Sequence, residues 1–143
     1  MNSVDVNVLV YAFDASSMHH QQARSRLEQH RASPELLALF PPVIAGFLRV
    51  VTDRRILNRP ADPDAALAFV DALLAGPSVA VTPPGARYWP IARDLLATYR
   101  PRGPEVPDVL LAAAALEQGA TWISYDRGFA RFRGLEWVNP LDA

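Results

Sequence analysis

The stretch Ser3-Val4-Asp5-Val6-Asn7-Val8-Leu9-Val10 decides how the rest of the chain is interpreted. After Ser3 it is an apolar run that only two polar residues interrupt, Asp5 and Asn7. Because short apolar runs are typical of buried strands in parallel sheets, the stretch predicts a buried strand that passes into a helix. Asp5 is then expected at the end of this first strand.

The chain beyond this stretch alternates between apolar runs and helical patterns. Further strands are predicted at residues 36–40, 78–81, 120–124 and 135–138, and helices at 17–31, 43–52, 64–74, 86–99 and 107–118, with a short helical turn at 127–132. Asp64 is the predicted N-cap of the helix 64–74, and Gly119 ends the helix 107–118. Strands separated by helices predict an α/β fold with a central, roughly five-stranded parallel sheet covered on both faces. Residues 1–143 are expected to form a single domain.

Composition excludes several classes of enzyme. The chain has no cysteine and no lysine, since all fourteen basic residues are arginine. Disulfides, thiolate nucleophiles, Schiff-base lysines and the lysine of phosphate-binding loops are therefore excluded. The net charge of −1 means that any binding of nucleic acid must use arginines gathered locally. The N-terminus has no basic segment and no apolar run approaches the ~20 residues of a membrane span, so a cytoplasmic protein without membrane contact is expected.

Three aspartates fall at one edge of the predicted sheet. Asp5 ends the first strand, Asp126 follows the fourth strand, and Asp108 lies in the first turn of the helix before that strand. Each alone could be a helix cap or favour a helix N-terminus. Together they would repel one another unless a cation lies between them, and Mg²⁺ prefers carboxylate oxygens and water. The constellation therefore predicts metal-assisted phosphodiester hydrolysis.

Several motifs carry a family resemblance that extends over essentially the whole chain. They are the opening Asp5-Val6-Asn7, the segment Val106-Pro107-Asp108-Val109-Leu110-Leu111-Ala112, and the segment Trp122-Ile123-Ser124-Tyr125-Asp126-Arg127-Gly128-Phe129. In this order and spacing they resemble the acidic motifs of PIN-domain nucleases. Gly46-Phe47-Leu48-Arg49-Val50-Val51-Thr52 and Asn139-Pro140-Leu141 are similar to the VapC toxin branch of that family.

The resemblance implies a PIN-like three-layer α/β/α sandwich and a metal-dependent endoribonuclease, the toxin of a VapBC-type toxin–antitoxin module. It implies Mg²⁺ as cofactor, with Mn²⁺ able to substitute, and cleavage of RNA by metal-activated water. Asp5, Asp108 and Asp126 match the catalytic and metal-binding acids, and Asn7 and Ser124 match the polar residues that support them. The implied partners are the RNA substrate, a second copy in a homodimer, and a VapB-type antitoxin through which operator DNA is bound.

One position departs from the family pattern. Many PIN nucleases have a glutamate on the helix after the second strand, where this chain has Gly46. One firmly held metal ion is therefore expected, with a second bound weakly or only with substrate. Asp53 lies about 10 Å further along the same predicted helix, too far to replace the glutamate. Glu105, in the loop before Asp108, is the better local substitute.

Arginines bracket the predicted acidic edge. Arg100, Arg102, Arg127 and Arg131 are candidates for RNA binding, because phosphates require local cations beside an acidic metal site. The alternative is a solvated face with surface ion pairs, which contribute little to stability. Arg49, inside an otherwise apolar helix face, is expected instead to pair with a buried carboxylate.

Two other groups of residues have structural interpretations. His19 and His20 point about 100° apart on a helix, which disfavours chelation of one ion and predicts an exposed first turn. Tyr88, Trp89 and Tyr99 lie at helical spacing with aliphatic residues, which favours packing over the stacking of bases.

Two alternative functions compete with that of a nuclease. A PIN-like module with weakened catalysis would bind RNA or a partner without cleaving, and Gly46 is the residue in its favour. A phospho-accepting receiver domain also places an aspartate after a strand, but it requires a late lysine that this chain lacks. Retention of Asp5, Asp108 and Asp126 favours the enzyme.

Overall fold

The computed structural model describes residues 1–142, which form a five-stranded parallel sheet between helices. The strands are β1 (Asn2–Val4), β2 (Leu37–Leu39), β3 (Val79–Val81), β4 (Thr121–Ile123) and β5 (Trp137–Val138). Their order across the sheet is β3-β2-β1-β4-β5, and every neighbouring pair is parallel. The predicted α/β architecture and each of the predicted strands are confirmed. The carboxyl ends of β1 and β4 are adjacent at the centre of one edge.

Six α-helices connect the strands. They are α1 (Val6–Phe13), α2 (His20–Ala32), α3 (Pro41–Thr52), α4 (Pro63–Leu74), α5 (Tyr88–Tyr99) and α6 (Glu105–Gln118), with short 3₁₀ helices at Arg127–Arg131 and Pro140–Asp142. The predicted N-cap of α4 is wrong, because the Asp62 carboxylate caps it by accepting from the Asp64 backbone N–H at 2.8 Å. Pro63 then occupies the first helical position, where a missing N–H leaves no hydrogen bond unmade.

The first strand passes into α1 without a loop. Asp5 keeps an extended backbone (φ −77°, ψ 163°), and its N–H continues the sheet by donating to the Ile123 carbonyl oxygen at 2.9 Å. Its carboxylate accepts from the Val6 N–H at 2.7 Å, which satisfies a donor that the helix leaves free. One residue therefore ends the strand and caps the helix, and this fixes its carboxylate at the edge of the sheet.

Aromatic residues fill both sides of the sheet. Trp122, on β4, is fully buried and packs between Phe40 and Phe129, with ring centroids 6.1 and 5.4 Å away. Phe47 of α3 and Phe69 of α4 stack at 5.1 Å in the layer that holds α1, α3 and α4 together. Burial of this kind contributes roughly 1.5–3 kcal/mol per large apolar side chain, so the edge that carries Asp5 rests on a rigid core. In the part of the chain that the structure describes, no helix is long and apolar enough to cross a membrane.

Candidate active site

Asp5 is the most buried acidic side chain of the predicted site, with 7% of its surface exposed. One carboxylate oxygen, Oδ1, accepts from the Val6 N–H. The other, Oδ2, accepts from the Ser124 hydroxyl at 2.6 Å and from the Asn7 amide at 3.4 Å. The carboxylate is thus held in one orientation by the start of α1 and by the residue that follows β4.

Asn7 and Ser124 connect the two central strand ends to each other. The Asn7 Nδ2 donates to Ser124 Oγ at 3.2 Å, and the Asn7 Oδ1 accepts from the Tyr125 N–H at 3.3 Å. Ser124 Oγ also accepts from the Asp126 N–H at 3.0 Å, which sets the backbone of that acid. The structure therefore brings both predicted supporting residues into hydrogen-bond contact with Asp5 and with the segment that carries Asp126.

Asp108 and Asp126 approach the same place from α6 and from the loop after β4. Asp108 is half-buried in the first turn of α6. Asp126 is exposed and caps the 3₁₀ helix by accepting from the Gly128 N–H at 2.8 Å through Oδ1. Burial is the main cause that raises the pKa of Asp108, the charge of Asp126 raises it further, and Arg131 opposes the shift.

The three carboxylates act on one another electrostatically. Burial raises the pKa of Asp5 from 3.8 to about 6, hydrogen bonds from Ser124 and Val6 oppose the shift, and the charges of Asp108 and Asp126 add to it. A carboxylate with a raised pKa at a buried position is typical of functional sites, because its charged form is costly without a cation. The three predicted acids therefore lie near enough to one another for their charges to raise the pKa of Asp5 and of Asp108.

A cavity of about 520 Å³ opens at this edge, with Asp5 and Asp108 on its wall. Phe40 and Thr82, which directly follow β2 and β3, also line it, so the cavity runs across the carboxyl ends of the sheet. Ligands of open parallel sheets bind at this edge. Most of the remaining wall is apolar and comes from α3, α6, the starts of α1 and α5, and the segment before α5. The apolar lining residues are Val6, Pro41, Pro42, Val50, Pro83, Pro84, Tyr88, Leu110, Leu111 and Ala114.

The donor set fits a hard divalent cation that keeps much of its water. Mg²⁺ is usually held by one or two carboxylates and completes its octahedron with water. Asp5 and Asp108 on one cavity wall supply such a pair, and Asp126 adds charge. Within residues 1–142, no group of three or more histidine, cysteine, aspartate or glutamate side chains is spaced to enclose a metal ion by itself. The arrangement therefore suits a hydrated ion and not a closed structural metal site.

Close packing at position 46 leaves little room for a side chain. A Cβ added to Gly46 would lie 2.8 Å from Val6 Cγ2, closer than real contacts allow, so any larger residue requires Val6 to move. Glu105 lies in the first turn of α6 rather than in a loop, and its charge raises the pKa of Asp108. Asp53 is bound by Arg55 through two contacts of 3.2 and 3.1 Å beyond the end of α3.

The predicted RNA-binding arginines have different surroundings. Arg127 forms two hydrogen bonds of 3.0 Å with the Asp142 carboxylate, and Arg131 donates to the Gly128 carbonyl and stacks 4.2 Å from the centre of the Phe132 ring. Arg100 ends α5 in a left-handed conformation (φ 48°), and Arg102 is exposed in the short loop before α6. Arg131 is the member of this set whose charge reaches Asp108.

Several side chains differ from their sequence-based interpretation. Arg49 is exposed and lines the acidic cavity, and no side-chain ion pair or hydrogen bond involves it among residues 1–142, so its predicted pairing with a buried carboxylate is wrong. The expectation that the His pair is exposed is wrong as well. His20 Nδ1 bonds the Tyr11 carbonyl oxygen at 2.9 Å, and His19 stacks 5.2 Å from Tyr125. These contacts link distant segments, which helical spacing alone does not reveal.

Known proteins resemble this chain in sequence and in fold. Residues 3–135 match the family described as PIN domain. The chain is 49% identical over 142 residues to Ribonuclease VapC43 of Mycobacterium tuberculosis, covering 99% of this chain and 97% of that protein. It is 36% identical over 138 residues to Ribonuclease VapC48 of the same species, covering 96% and 95%. Among solved structures, VapBC2 from Rickettsia felis bound to a promoter DNA fragment superposes with a TM-score of 0.72 at 18% identity, covering 96% of this chain and 97% of that one.

The α/β sandwich and the acidic edge, together with these matches, define the class. The chain belongs to the PIN-domain family. Within that family it belongs to the VapC branch, since relatives of that name match it over nearly their whole length. The resemblance stated from its motifs is confirmed.

Proposed function

We propose that this chain is a divalent-metal-dependent endoribonuclease and the toxin of a VapBC-type toxin–antitoxin module. The observation that carries the proposal is the buried Asp5 carboxylate, which shares a cavity wall with Asp108 and has its pKa raised by burial and by the neighbouring acids. The names of the relatives support RNA as the substrate, since VapC43 and VapC48 are ribonucleases. The metal dependence rests on the acids alone.

The roles of the residues follow from their contacts. Asp5 and Asp108 would hold Mg²⁺ or Mn²⁺, which when bound lowers the pKa of water and offsets charge on the scissile phosphate. Ser124 and Asn7 orient the Asp5 carboxylate, so that it does not need to reorganise when a cation binds. Asp126 leaves Oδ2 available, because Oδ1 is engaged by the Gly128 N–H, and that oxygen could accept a proton from a water molecule at the edge of the sheet.

The partners follow from relatives of known structure. Structures in this fold class include VapBC complexes, and the complexes from Rickettsia felis and Salmonella typhimurium are bound to DNA. We infer a VapB-type antitoxin partner for this chain, operator DNA bound through that antitoxin, and a homodimer. We also infer that residues 1–143 act as one domain and that the protein works in the cytoplasm, where an RNA substrate is available.

Cleavage of RNA with and without a divalent cation tests the function. The chain, purified free of antitoxin, is incubated with total bacterial RNA in Mg²⁺, in Mn²⁺ and in EDTA, and the products are mapped. Cleavage is expected with either ion and not in EDTA. Loss of a residue that only orients a metal ligand reduces activity by roughly 10–100-fold. Asp108→Asn removes a proposed ligand itself, so it is expected to reduce the rate of cleavage by more than that.

A matched control and one clear outcome make the test decisive. Asp94 is exposed on α5 and does not line the acidic cavity, so Asp94→Asn removes the same charge and should leave cleavage unchanged. Binding of RNA by a folded wild type that cuts no RNA with either ion would overturn the proposal and favour the alternative of a binding module.

A further inference from the structure

Arg49 occupies an unusual place for an arginine. It projects from α3 into the cavity whose wall carries Asp5 and Asp108, and it is exposed. The ion pairs found among residues 1–142 do not include it, although its charge slightly lowers the pKa of Asp53. A cation beside carboxylates that does not bind them remains available to an anion that enters the cavity.

The same arginine also lines a second depression at the end of α3. The other charged residues of this depression are Asp53, Arg54 and Arg55, so three arginines face one aspartate. Arg55 is held in place by Asp53, at 3.1 Å between Nη2 and Oδ2, which fixes the position of one guanidinium. The depression is therefore a positively charged surface continuous with the acidic cavity through Arg49.

Close packing of α3 on α1 creates this continuity. Gly46 faces Val6, the residue next to Asp5, without room for a Cβ. Arg49 lies three residues later, about 4.5 Å further along the helix axis, and the depression begins where the helix ends. One face of α3 thus leads from the acids at the sheet edge to the arginines over about 10 Å.

We propose that Arg49 and Arg54 bind the phosphates that flank the scissile phosphate, so that the RNA strand runs along α3 away from the acids. The inference rests on the proposed function, because it takes RNA as the substrate. A polyanion that approaches three carboxylates requires cations close by, and guanidinium groups bind phosphate oxygens in a bidentate manner. Of the arginines expected at the acidic edge, Arg127 is already paired with Asp142.

Salt dependence of binding measures this role directly. A fluorescein-labelled, mixed-sequence single-stranded RNA is titrated with protein in EDTA, where cleavage is suppressed, over a series of NaCl concentrations. The logarithm of the binding constant falls linearly with the logarithm of the salt concentration. On a single strand, each lost phosphate contact makes this slope less steep by about 0.7. Arg49→Gln is expected to show this change and to weaken binding about tenfold at low salt, as for loss of one charged hydrogen bond. Arg54→Gln should change the slope in the same direction.

Two control variants separate the role from general effects. Arg49→Lys keeps the charge and should retain the wild-type slope while losing the bidentate geometry, and thus some affinity. Arg93→Gln removes an exposed charge on α5, outside both depressions, and should behave like the wild type. In cleavage assays, Arg49→Gln should raise KM and leave kcat nearly unchanged, because the acids are intact.

Each outcome distinguishes this inference from the proposed function. If Arg49→Gln binds RNA with the wild-type affinity and slope, the inference is overturned, whether or not the wild type cleaves. If Arg49→Gln weakens only the binding of a partner protein, the surface serves that protein and the inference is likewise overturned. A wild type that binds RNA through Arg49 but does not cleave it would overturn the proposed function alone.

Discussion

Replacing Asp5 by asparagine should stabilise the metal-free protein. The charged Asp5 carboxylate is 7% exposed, and its pKa is raised from 3.8 to about 6, chiefly by burial. Because the folded state binds the proton more tightly than the unfolded state, this group costs no stability well below pH 3.8. The cost grows as the pH rises from 3.8 to about 6 and is complete above that. At neutral pH it amounts to about 3 kcal/mol, at roughly 1.4 kcal/mol per pKa unit.

The hydrogen bonds of Asp5 reduce the expected gain. An asparagine Oδ1 can still accept from the Val6 N–H and cap α1. The asparagine Nδ2 would then face Ser124, and it cannot accept a hydrogen bond from the Ser124 hydroxyl. Nor is Ser124 Oγ free to accept from this Nδ2, because it already accepts from the Asn7 Nδ2 and from the Asp126 N–H. Losing about one hydrogen bond costs roughly 1 kcal/mol. The net gain is therefore about 1–2 kcal/mol at pH 7.5, or about 3–6 °C in Tm for a chain of this size.

Thermal and urea unfolding in EDTA at pH 7.5 and pH 4 measure this effect. The advantage of Asp5→Asn should be present at pH 7.5 and shrink toward pH 4, where the wild-type carboxyl is protonated. Asp62→Asn is the matched control, since Asp62 caps α4 in the same manner but is exposed, and its replacement should change stability little at either pH. A variant less stable than the wild type at pH 7.5, or an advantage independent of pH, would refute the electrostatic reasoning.

Two further predictions address the cation and the close packing of α3. Mg²⁺ or Mn²⁺ at millimolar concentration should raise the Tm of the wild type, because a ligand that binds only the folded state stabilises it, and should have little effect on Asp108→Asn; an equal shift in both would place the cation elsewhere. Gly46→Ala should destabilise the protein by about 0–2 kcal/mol, because the contact of its Cβ with Val6 Cγ2 at 2.8 Å costs about 1–3 kcal/mol while alanine gains roughly 1 kcal/mol over glycine inside a helix. Adding Val6→Ala to Gly46→Ala should recover part of that loss, because it removes the atom that the new Cβ meets. If the losses of the two single variants simply add in the double variant, the contact is contradicted.

Local patterns in the sequence were sufficient to predict most of the architecture. Apolar runs separated by helical patterns are properties of neighbouring residues, and the five strands and their parallel arrangement follow from them. The helix boundaries were less accurate at α4, where Asp62 rather than Asp64 is the N-cap. Both residues are aspartates beside Pro63, so composition alone does not decide between them.

The candidate site likewise has features that the sequence predicts and features that only the folded structure shows. The sequence by itself predicts which acids belong to it. Asp5 and Asp126 follow apolar strands, Asp108 lies in the first turn of the helix before the fourth strand, and in a parallel sheet these places lie at one edge. Only the tertiary structure decided how each acid is held and charged. The bond from Ser124 to Asp5 joins residues 119 positions apart, and the burial that raises the pKa of Asp5 comes from elements packed around it.

The arginines show the limit of sequence reasoning most clearly. Sequence position placed Arg127 near the acidic edge, but its partner Asp142 belongs to a 3₁₀ helix fifteen residues away and occupies its guanidinium. The apolar neighbours of Arg49 predict that it pairs with a buried carboxylate, yet it is exposed on the cavity wall without such a partner among the described residues. A residue's type and spacing limit the chemistry that it can perform. Which surface it faces, and whether a partner already neutralises it, depend on contacts between distant segments that form only in the folded chain.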